Sequence, residues 1–384
     1  MSDPGWHTDA FPELRPGPPW VMQEMIAAQP ALVEALLNTP PLGTPAAAEA
    51  ITAALEHNHP VIVCGCGTSE HAARGIAALI SAAVGPLRSA LVRARPALSA
   101  ALDPAPGACL AVSHDGETRA STLALLAART AGAHTIAITC QGEASIARAA
   151  DRVLLTPRHD DSWCHTVAYT SALAAGAALA GRLGPFTAQP AAARELLERV
   201  IRFADPAPVA GRLADRRVVL CAGAEPDYAT TRELALKIAE GARLPTLALE
   251  LETVLHGQLA GHEPADALIL VAITDQPGRE RLARRATHVA RAAAAIGLPV
   301  AGILSGAYHR ALAAELTPAG RIVTELADPS LVDRRLAGLL AGAGALQMLT
   351  LELAHARHAN PDLIRREQAP YRHAAHEAEN SADW

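Results

Sequence analysis

The chain's single lysine, Lys237, stands three residues before Glu240. The other 32 of its 33 basic side chains are arginine, so position 237 asks for something a guanidinium does not offer. What lysine offers is a compact point charge on a flexible stem. Residues three apart in a helix share a face. A carboxylate beside an ammonium can carry a proton between neighbouring carbons of a carbonyl compound, and the cation stabilises the enediolate formed on the way. On a solvated face the same pair would be an ordinary ion pair worth roughly 0.5 kcal/mol.

Two further segments have the chemistry of a ligand cradle. Gly65 to Ser69 and Ser113 to Thr118 each follow an apolar run of strand length and lead into a helix-like stretch. Backbone N–H groups at such junctions have no partner within the helix and favour anions. With Gly67 and Gly116 allowing close approach, Thr68, Ser69, Ser113 and Thr118 could hold a phosphate or sugar hydroxyls. The same hydroxyls could merely cap their helices, the commonest job of Ser and Thr. Two such loops from adjacent strands make a binding site the better explanation. His114, Asp115 and His165 would lie in or beside it and discriminate between ligands, with Cys164 and Asp160 next to them. Simple packing of these side chains is the second reading, and a metal cluster among them the weakest. Cys64-Gly65-Cys66 has no second motif to complete a tetrahedral site either. Neither a metal nor a cofactor is expected.

These residues need elements to position them. Apolar runs at 61–64, 108–112, 135–139 and 153–156 alternate with helix-length segments, as do runs at 218–221, 246–249, 268–273, 300–304 and 322–326. They are apolar throughout instead of alternating, the signature of strands covered on both faces. Strand and helix in alternation imply a parallel sheet. The expected fold is α/β, two tandem doubly wound, mainly parallel sheets flanked by helices. A helical arm over 1–44 precedes a first half at 45–190, which would carry the binding loops. A Pro- and Ala-rich joint near 184–193 leads to a second half at 205–350, with the Lys-Glu helix predicted at 231–242. A long helix is predicted over 332–358, and residues 351–384 form a tail.

Composition excludes several functions. With 33 basic and 39 acidic side chains the formal charge is −6, against a nucleic-acid partner. Half the residues are hydrophobic and 19% charged, which excludes disorder as the main state. Alanine accounts for 88 of the 384 residues and aromatics for 3%, so the core is built from small aliphatic side chains. There is no uncharged apolar run of the length a membrane span needs, and Met1-Ser2-Asp3-Pro4 lacks the features of a signal peptide. Six scattered cysteines suit reduced thiols in a cytoplasmic protein.

The motifs together resemble sugar-isomerase (SIS) domains. Cys66-Gly67-Thr68-Ser69-Glu70-His71-Ala72 and Ser113-His114-Asp115-Gly116-Glu117-Thr118 are similar to the two signature loops of that family. Glu233-Leu234-Ala235-Leu236-Lys237-Ile238-Ala239-Glu240, followed by His256-Gly257, resembles the E-x-A-L-K-x-x-E…HG run of the isomerase half of glucosamine-6-phosphate synthase and of related deaminases. The glutaminase half is absent. The resemblance covers about residues 20–365 and implies that Glu240 shuttles the proton, that His256 opens the sugar ring and that Lys237 is an active-site cation. In the family this histidine comes from the neighbouring subunit, which implies a homodimer with shared active sites. The implied activity is aldose–ketose isomerisation or deamination of a sugar or amino-sugar phosphate. A non-catalytic sugar sensor is the alternative.

Three departures bear on that transfer. Asp115 stands where the family's phosphate loop usually has a second serine. Asp160-Asp161-Ser162-Trp163-Cys164-His165-Thr166-Val167 replaces the synthase run E-x-x-x-x-S-T-K. The tail, with Arg365 and Arg366, has no lysine to form an imine. Asp115 could tolerate a phosphate if His114 or His165 were protonated, with binding strengthening below about pH 6.5. It could instead accept hydrogen bonds from an unphosphorylated part of the ligand, and this second possibility is the favoured one.

Overall fold

The computed structural model describes residues 12–379. Positions 1–11 of the expected arm, with the Met1-Ser2-Asp3-Pro4 start, lie outside that range. Helices α1 (Val21–Asn38) and α2 (Thr44–Glu56) come first. The first sheet is built from β1 (Val61–Gly65), β2 (Val92–Pro96), β3 (Gly107–Val112), β4 (Ala133–Thr139) and β5 (Arg152–Leu155). Its connections hold α3 (Thr68–Val84), α4 (Pro86–Ser89), α5 (Ala97–Leu102), α6 (Arg119–Thr130) and α7 (Ser145–Ala149), and α8 (Val167–Leu183) follows β5. Helices α9 (Pro190–Phe203) and α10 (Ala207–Leu213) lead to the second sheet. That sheet comprises β6 (Val219–Gly223), β7 (Thr246–Glu250), β8 (Ala267–Ala272), β9 (Val300–Ser305) and β10 (Gly320–Thr324). Helices α11 (Tyr228–Gly241), α12 (Arg279–Ala295) and α13 (Gly306–Ala311) connect its strands, and α14 (Arg334–Ala356) and α15 (Ala369–Glu379) end the described chain.

Each sheet is parallel throughout. The strand orders are β2-β1-β3-β4-β5 and β10-β9-β8-β6-β7. Numbered within its own half, each sheet therefore has the order 2-1-3-4-5, so the repeat expected from the sequence is one of topology. Strands β1, β3, β8 and β9 are buried along their whole length, as their unbroken apolar runs require. Strand β2 was not expected. Its Val92-Arg93-Ala94-Arg95-Pro96 has charges on one face and ends in proline, which an edge strand tolerates and a central strand does not.

The halves share one core. A continuous apolar cluster runs from Ile51, Ile76 and Leu173 through Leu197 and Leu339 to Val219 and Ile269. Small residues bring helices α3 and α8 close: a Cβ added at Gly75 would come within 2.5 Å of Leu173, and one at Gly176 within 2.5 Å of Ile76. The Pro- and Ala-rich joint is pinned to the segment before α14, with Gln189 N–H donating to Leu331 O (2.8 Å) and Asp333 N–H to Thr187 O (2.7 Å). Among the described residues α14 alone is long and apolar enough to cross a membrane, and it is buried within this core.

Candidate functional site

In a doubly wound sheet a crevice opens at the carboxyl ends of the two strands where the order reverses. For the first sheet these strands are β1 and β3, and a cavity of about 720 Å³ lies there. Cys66, Gly67, Thr68 and Ser69 line it from the loop after β1, and His114, Asp115 and Thr118 from the loop after β3. Gln141 follows β4, while His159, Trp163 and His165 come from the segment between β5 and α8. Glu240 enters from the last turn of α11, and Ile364 and Arg366 from the tail.

Of the residues singled out in the sequence, Gly67, Thr68, Ser69, His114, Asp115, Thr118, His165 and Glu240 thus share one cavity. Lys237, Ser113 and Gly116 stand behind its wall. Gly116 has φ +78°, and a Cβ there would meet the Ala144 Cβ at 2.3 Å, so its role is to let the loop turn. His256 does not reach the cavity of its own chain: its side chain is 68% exposed and bonded to Glu252 Oε1 at 2.9 Å.

Capping does not explain the hydroxyls. Thr118 is the N-cap of α6 but makes no capping bond; its Oγ1 accepts from Ser113 Oγ at 3.1 Å. Thr68 Oγ1 donates to Glu233 Oε1 at 3.2 Å.

Lys237 is no surface residue, being 1% exposed, and its ammonium lies 2.5 Å from Glu240 Oε2 and 3.6 Å from Glu233 Oε1. Burial alone would push the lysine down, but the two carboxylates outweigh it and hold the ammonium charged, above its ordinary value. Burial also lifts Glu240, and here it outweighs the pull of Lys237, so the carboxyl can take up a proton more readily than a solvated one. Glu233 goes the other way: burial pushes it up, but Lys237 and the hydrogen bond from His71 hold it below its usual range. The cluster therefore contains a fixed anion, a fixed cation and a titratable carboxyl facing the cavity.

Glu233 had no role in the sequence reading, although it opens the motif that contains Lys237. It joins the halves. Its carboxylate bonds His71 Nδ1 (2.7 Å) and Thr68 Oγ1 from α3, while sitting one helical turn from Lys237 on α11. Arg232 adds a bond to Glu70 Oε1 at 2.7 Å. The loop after β1 with the start of α3 and helix α11 are thereby clamped together.

The histidines do not act as cations. Burial pushes His114 down to about 3, with the Asp160 carboxylate opposing it only in part. Burial, followed by the charge of Lys237, pushes His165 down to about 4. Geometry agrees for His114, whose Nε2 accepts the Asp160 N–H at 2.8 Å; this fixes the neutral tautomer with the proton on Nδ1. Relief of Asp115 by a protonated His114 or His165 is thus corrected: both imidazoles are neutral at ordinary pH. His114, Cys140 and His159 bring possible metal-ligand atoms within 4.8 Å of one another. The His114 Nε2 lone pair is already engaged by that backbone N–H, and a metal there would have to break the bond.

Cys164 and Asp160, expected beside the site, are structural. Cys164 is buried with its Sγ 4.0 Å from Lys237 O, and Asp160 accepts the N–H groups of Thr166 (2.6 Å) and Ala168 (3.0 Å) at the start of α8. Cys66 and Trp163 stand inside the quoted runs but had no role there, Arg366 was considered only for the imine it cannot form, and Gln141, His159 and Ile364 were not singled out. Trp163 and Arg366 were legible as a pair only through the fold, which sets the guanidinium 4.5 Å from the indole ring centre.

The second sheet has the matching reversal between β6 and β8, and a side chain of the chain itself bridges it. Asp227 is buried there, accepting the N–H groups of Ile273 (2.7 Å) and Thr274 (3.1 Å) and the Thr274 hydroxyl (2.5 Å).

Comparison with known proteins agrees with this architecture. The family model described as SIS domain matches residues 54–182. No curated protein sequence matches the chain. The C-terminal domain of glucosamine-fructose-6-phosphate aminotransferase from Francisella tularensis superposes with a TM-score of 0.75 at 16% identity, covering 90% of this chain and 99% of that one. Tagatose-6-phosphate ketose/aldose isomerase from Escherichia coli gives 0.70 at 17% identity, with 92% and 98% covered. Glucosamine-6-phosphate deaminase from Thermotoga maritima gives 0.59 at 18% identity, with 89% and 96% covered. Residues 54–182 thus match the SIS domain model, within a chain about nine-tenths of which superposes on the fold of these three solved proteins.

Proposed function

We propose that the protein binds a sugar or amino-sugar derivative in the cavity above β1 and β3 and moves its carbonyl between C1 and C2, with or without loss of the C2 amine. The observation that carries this reading is Glu240, which faces the cavity and rests against a buried, permanently charged lysine. A base for this step must accept a proton from one carbon and return it to the next. A carboxyl lifted by burial is suited to both directions. Lys237 keeps positive charge beside Glu240 while negative charge builds on the enediolate. Thr68, Ser69 and Thr118 offer hydroxyls to the sugar, and His114 and His165 offer neutral imidazoles.

Ring opening is assigned to His256 of a second copy. Its exposure, and its distance from the cavity of its own chain, support presentation to a partner in a homodimer. Six free thiols support a reducing, cytoplasmic setting. The likeness in fold to an isomerase and a deaminase supports the reaction class.

The test is incubation in deuterated water with hexose and hexosamine phosphates and their unphosphorylated parents, followed by NMR. Deuterium entering C1 or C2 is the expected result. Binding without exchange would refute the enzymatic reading and leave the sugar sensor.

A further inference from the structure

We propose that the His165 imidazole carries the second proton of the reaction, between the oxygens on C1 and C2, while Glu240 carries the first between the carbons; this rests on the carbonyl-transfer reading above. The need for a second carrier is chemical. Taking the C2 proton of an aldose moves an electron pair into a C1–C2 double bond and leaves the charge on the C1 oxygen. To finish as a ketose, that oxygen must gain a proton and the C2 hydroxyl must lose one. Glu240 at that moment holds the proton due to C1, so the transfer between the oxygens falls to another group. On an amino sugar the C2 nitrogen takes the place of that hydroxyl.

The first ground is which groups around the cavity are at liberty to move a proton. Lys237 is held charged between two carboxylates. Thr68 commits its hydroxyl proton to Glu233, and Asp115 Oδ1 accepts from Ser113 Oγ (3.2 Å) and Glu117 N–H (3.1 Å). The Nε2 of His114 is taken by the Asp160 N–H, and the His159 side chain is 50% exposed beside Asp161. His165 differs from all of these. It lines the cavity, and neither of its ring nitrogens bonds another described residue. Its ring rests against that of His114, with centroids 5.6 Å apart and planes at 59°.

The second ground is where the residue sits. Cys164 Sγ lies 4.0 Å from Lys237 O, and a Cβ added at Gly241 would come within 3.2 Å of that sulfur. Residue 164 is therefore packed on the turn of α11 that bears Glu240, and the side chains of His165 and Glu240 line one cavity. The neighbours of His165 are tied down as well. Trp163 N–H donates to Asp362 O (3.0 Å), and the Asp362 carboxylate accepts the N–H groups of Val21 (2.9 Å) and Met22 (2.7 Å) at the start of α1. Thr166 N–H donates to Asp160 Oδ2 at 2.6 Å. A group that passes a proton over a short distance needs such fixed support.

Burial, followed by the charge of Lys237, keeps the ring uncharged at ordinary pH. A neutral imidazole can give its proton to the C1 oxygen and recover one from the C2 hydroxyl, without adding net charge to a closed site. The balance is one proton moved from C2 to C1 through Glu240 and one from the C2 oxygen to the C1 oxygen through His165. Both side chains end as they began.

The experiment follows glucose 6-phosphate, glucosamine 6-phosphate and their unphosphorylated parents in deuterated water with wild type, His165→Gln and His165→Phe. It reads deuterium at C2 of the recovered sugar and conversion to the ketose, with circular dichroism to show that each variant is folded. Glutamine keeps a hydrogen-bonding side chain that does not relay protons, and phenylalanine keeps a ring against His114. Conversion is expected to fall by about a hundred-fold or more in both. Exchange in the recovered sugar should fall less, so that exchange per conversion rises at least about ten-fold, because an enediolate without its proton carrier returns more often than it goes forward. Conversion within a few-fold of wild type in His165→Gln, or an equal loss of both readouts in the folded variants, overturns the inference. Exchange in wild type beside an unchanged ratio in the variants removes His165 alone. Wild type without exchange on any probe removes the carbonyl-transfer reading, and this inference with it.

Discussion

Replacing Lys237 with methionine tests the buried cluster at its centre. Methionine keeps most of the apolar stem and removes the charge. The ammonium lies 2.5 Å from Glu240 and 3.6 Å from Glu233, so its loss leaves Glu233, with its bonds to His71 and Thr68, buried beside the cavity-facing Glu240 and no ammonium between them. Removing one partner from a buried ion pair costs about 3–5 kcal/mol, because the remaining charge has neither water nor counter-ion. A loss in that range is expected at pH 8, read from urea unfolding followed by tryptophan fluorescence and circular dichroism. In wild type, the raised Lys237 contributes stability that is fully present below its unfolded value of about 10.4, and would be lost only as the pH rises through its folded value. The lowered Glu233 contributes stability that is present above its unfolded value of about 4.3 and lost as the pH falls through its folded value. Both contributions are constant between pH 5.5 and 8. In the variant the stranded carboxylates are raised above their unfolded values, so protonation relieves the penalty as the pH falls. The deficit should therefore be smaller at pH 5.5 than at pH 8, and Glu233→Gln added to Lys237→Met should recover part of it. A loss under about 1 kcal/mol, or one of equal size at both pH values, would refute the claim that these charges depend on each other.

Glu240→Gln should fold and bind ligand as wild type does while hydrogen exchange falls by about a hundred-fold or more, since only the proton-accepting form is removed; exchange within a few-fold of wild type would rule this residue out as the base. Mixing inactive Glu240→Gln and inactive His256→Ala chains should restore part of the activity, because one site of each hybrid dimer then has both groups intact. Proven hybrids without recovery would mean that each site is built within one chain. Nitrogen-detected NMR should find His114 neutral with its proton on Nδ1, and His165 uncharged, from pH 5.5 to 8, because both lie well below that window. An imidazole among them titrating near pH 6.5 would contradict the burial described.

The sequence disclosed the parts of this protein that rest on local spacing. A spacing of three from Lys237 to Glu240 put both on one helical face, and unbroken apolar runs announced β1, β3, β8 and β9. Loops after neighbouring strands of one sheet come together, and those after β1 and β3 do. What stayed hidden depends on contacts between distant segments. Arg93, Arg95 and Pro96 concealed β2, whose place at the sheet edge follows from pairing and not from hydrophobicity. Lys237 and Glu240 could have lain on a solvated face, and only the packing of α11 against α3 and α14 buries the lysine. Glu233 needed Thr68 and His71, more than 160 residues away, before its role could be seen. The tail could be read for the imine it cannot form, but the place of Arg366 on the cavity wall needed α1, Asp362 and Trp163 together.

The Asp227 plug has a consequence for counting. Both sheets have the strand order that opens a crevice, yet in the second sheet a carboxylate of the chain itself occupies it and bonds Ile273 and Thr274. A duplicated architecture would ordinarily give two equivalent sites per chain, and here one has been turned into a structural joint. On the carbohydrate reading, a titration is expected to end at one equivalent of sugar per chain, and two equivalents would show that the second crevice still binds. Sigmoidal binding at one equivalent per chain would then arise between chains.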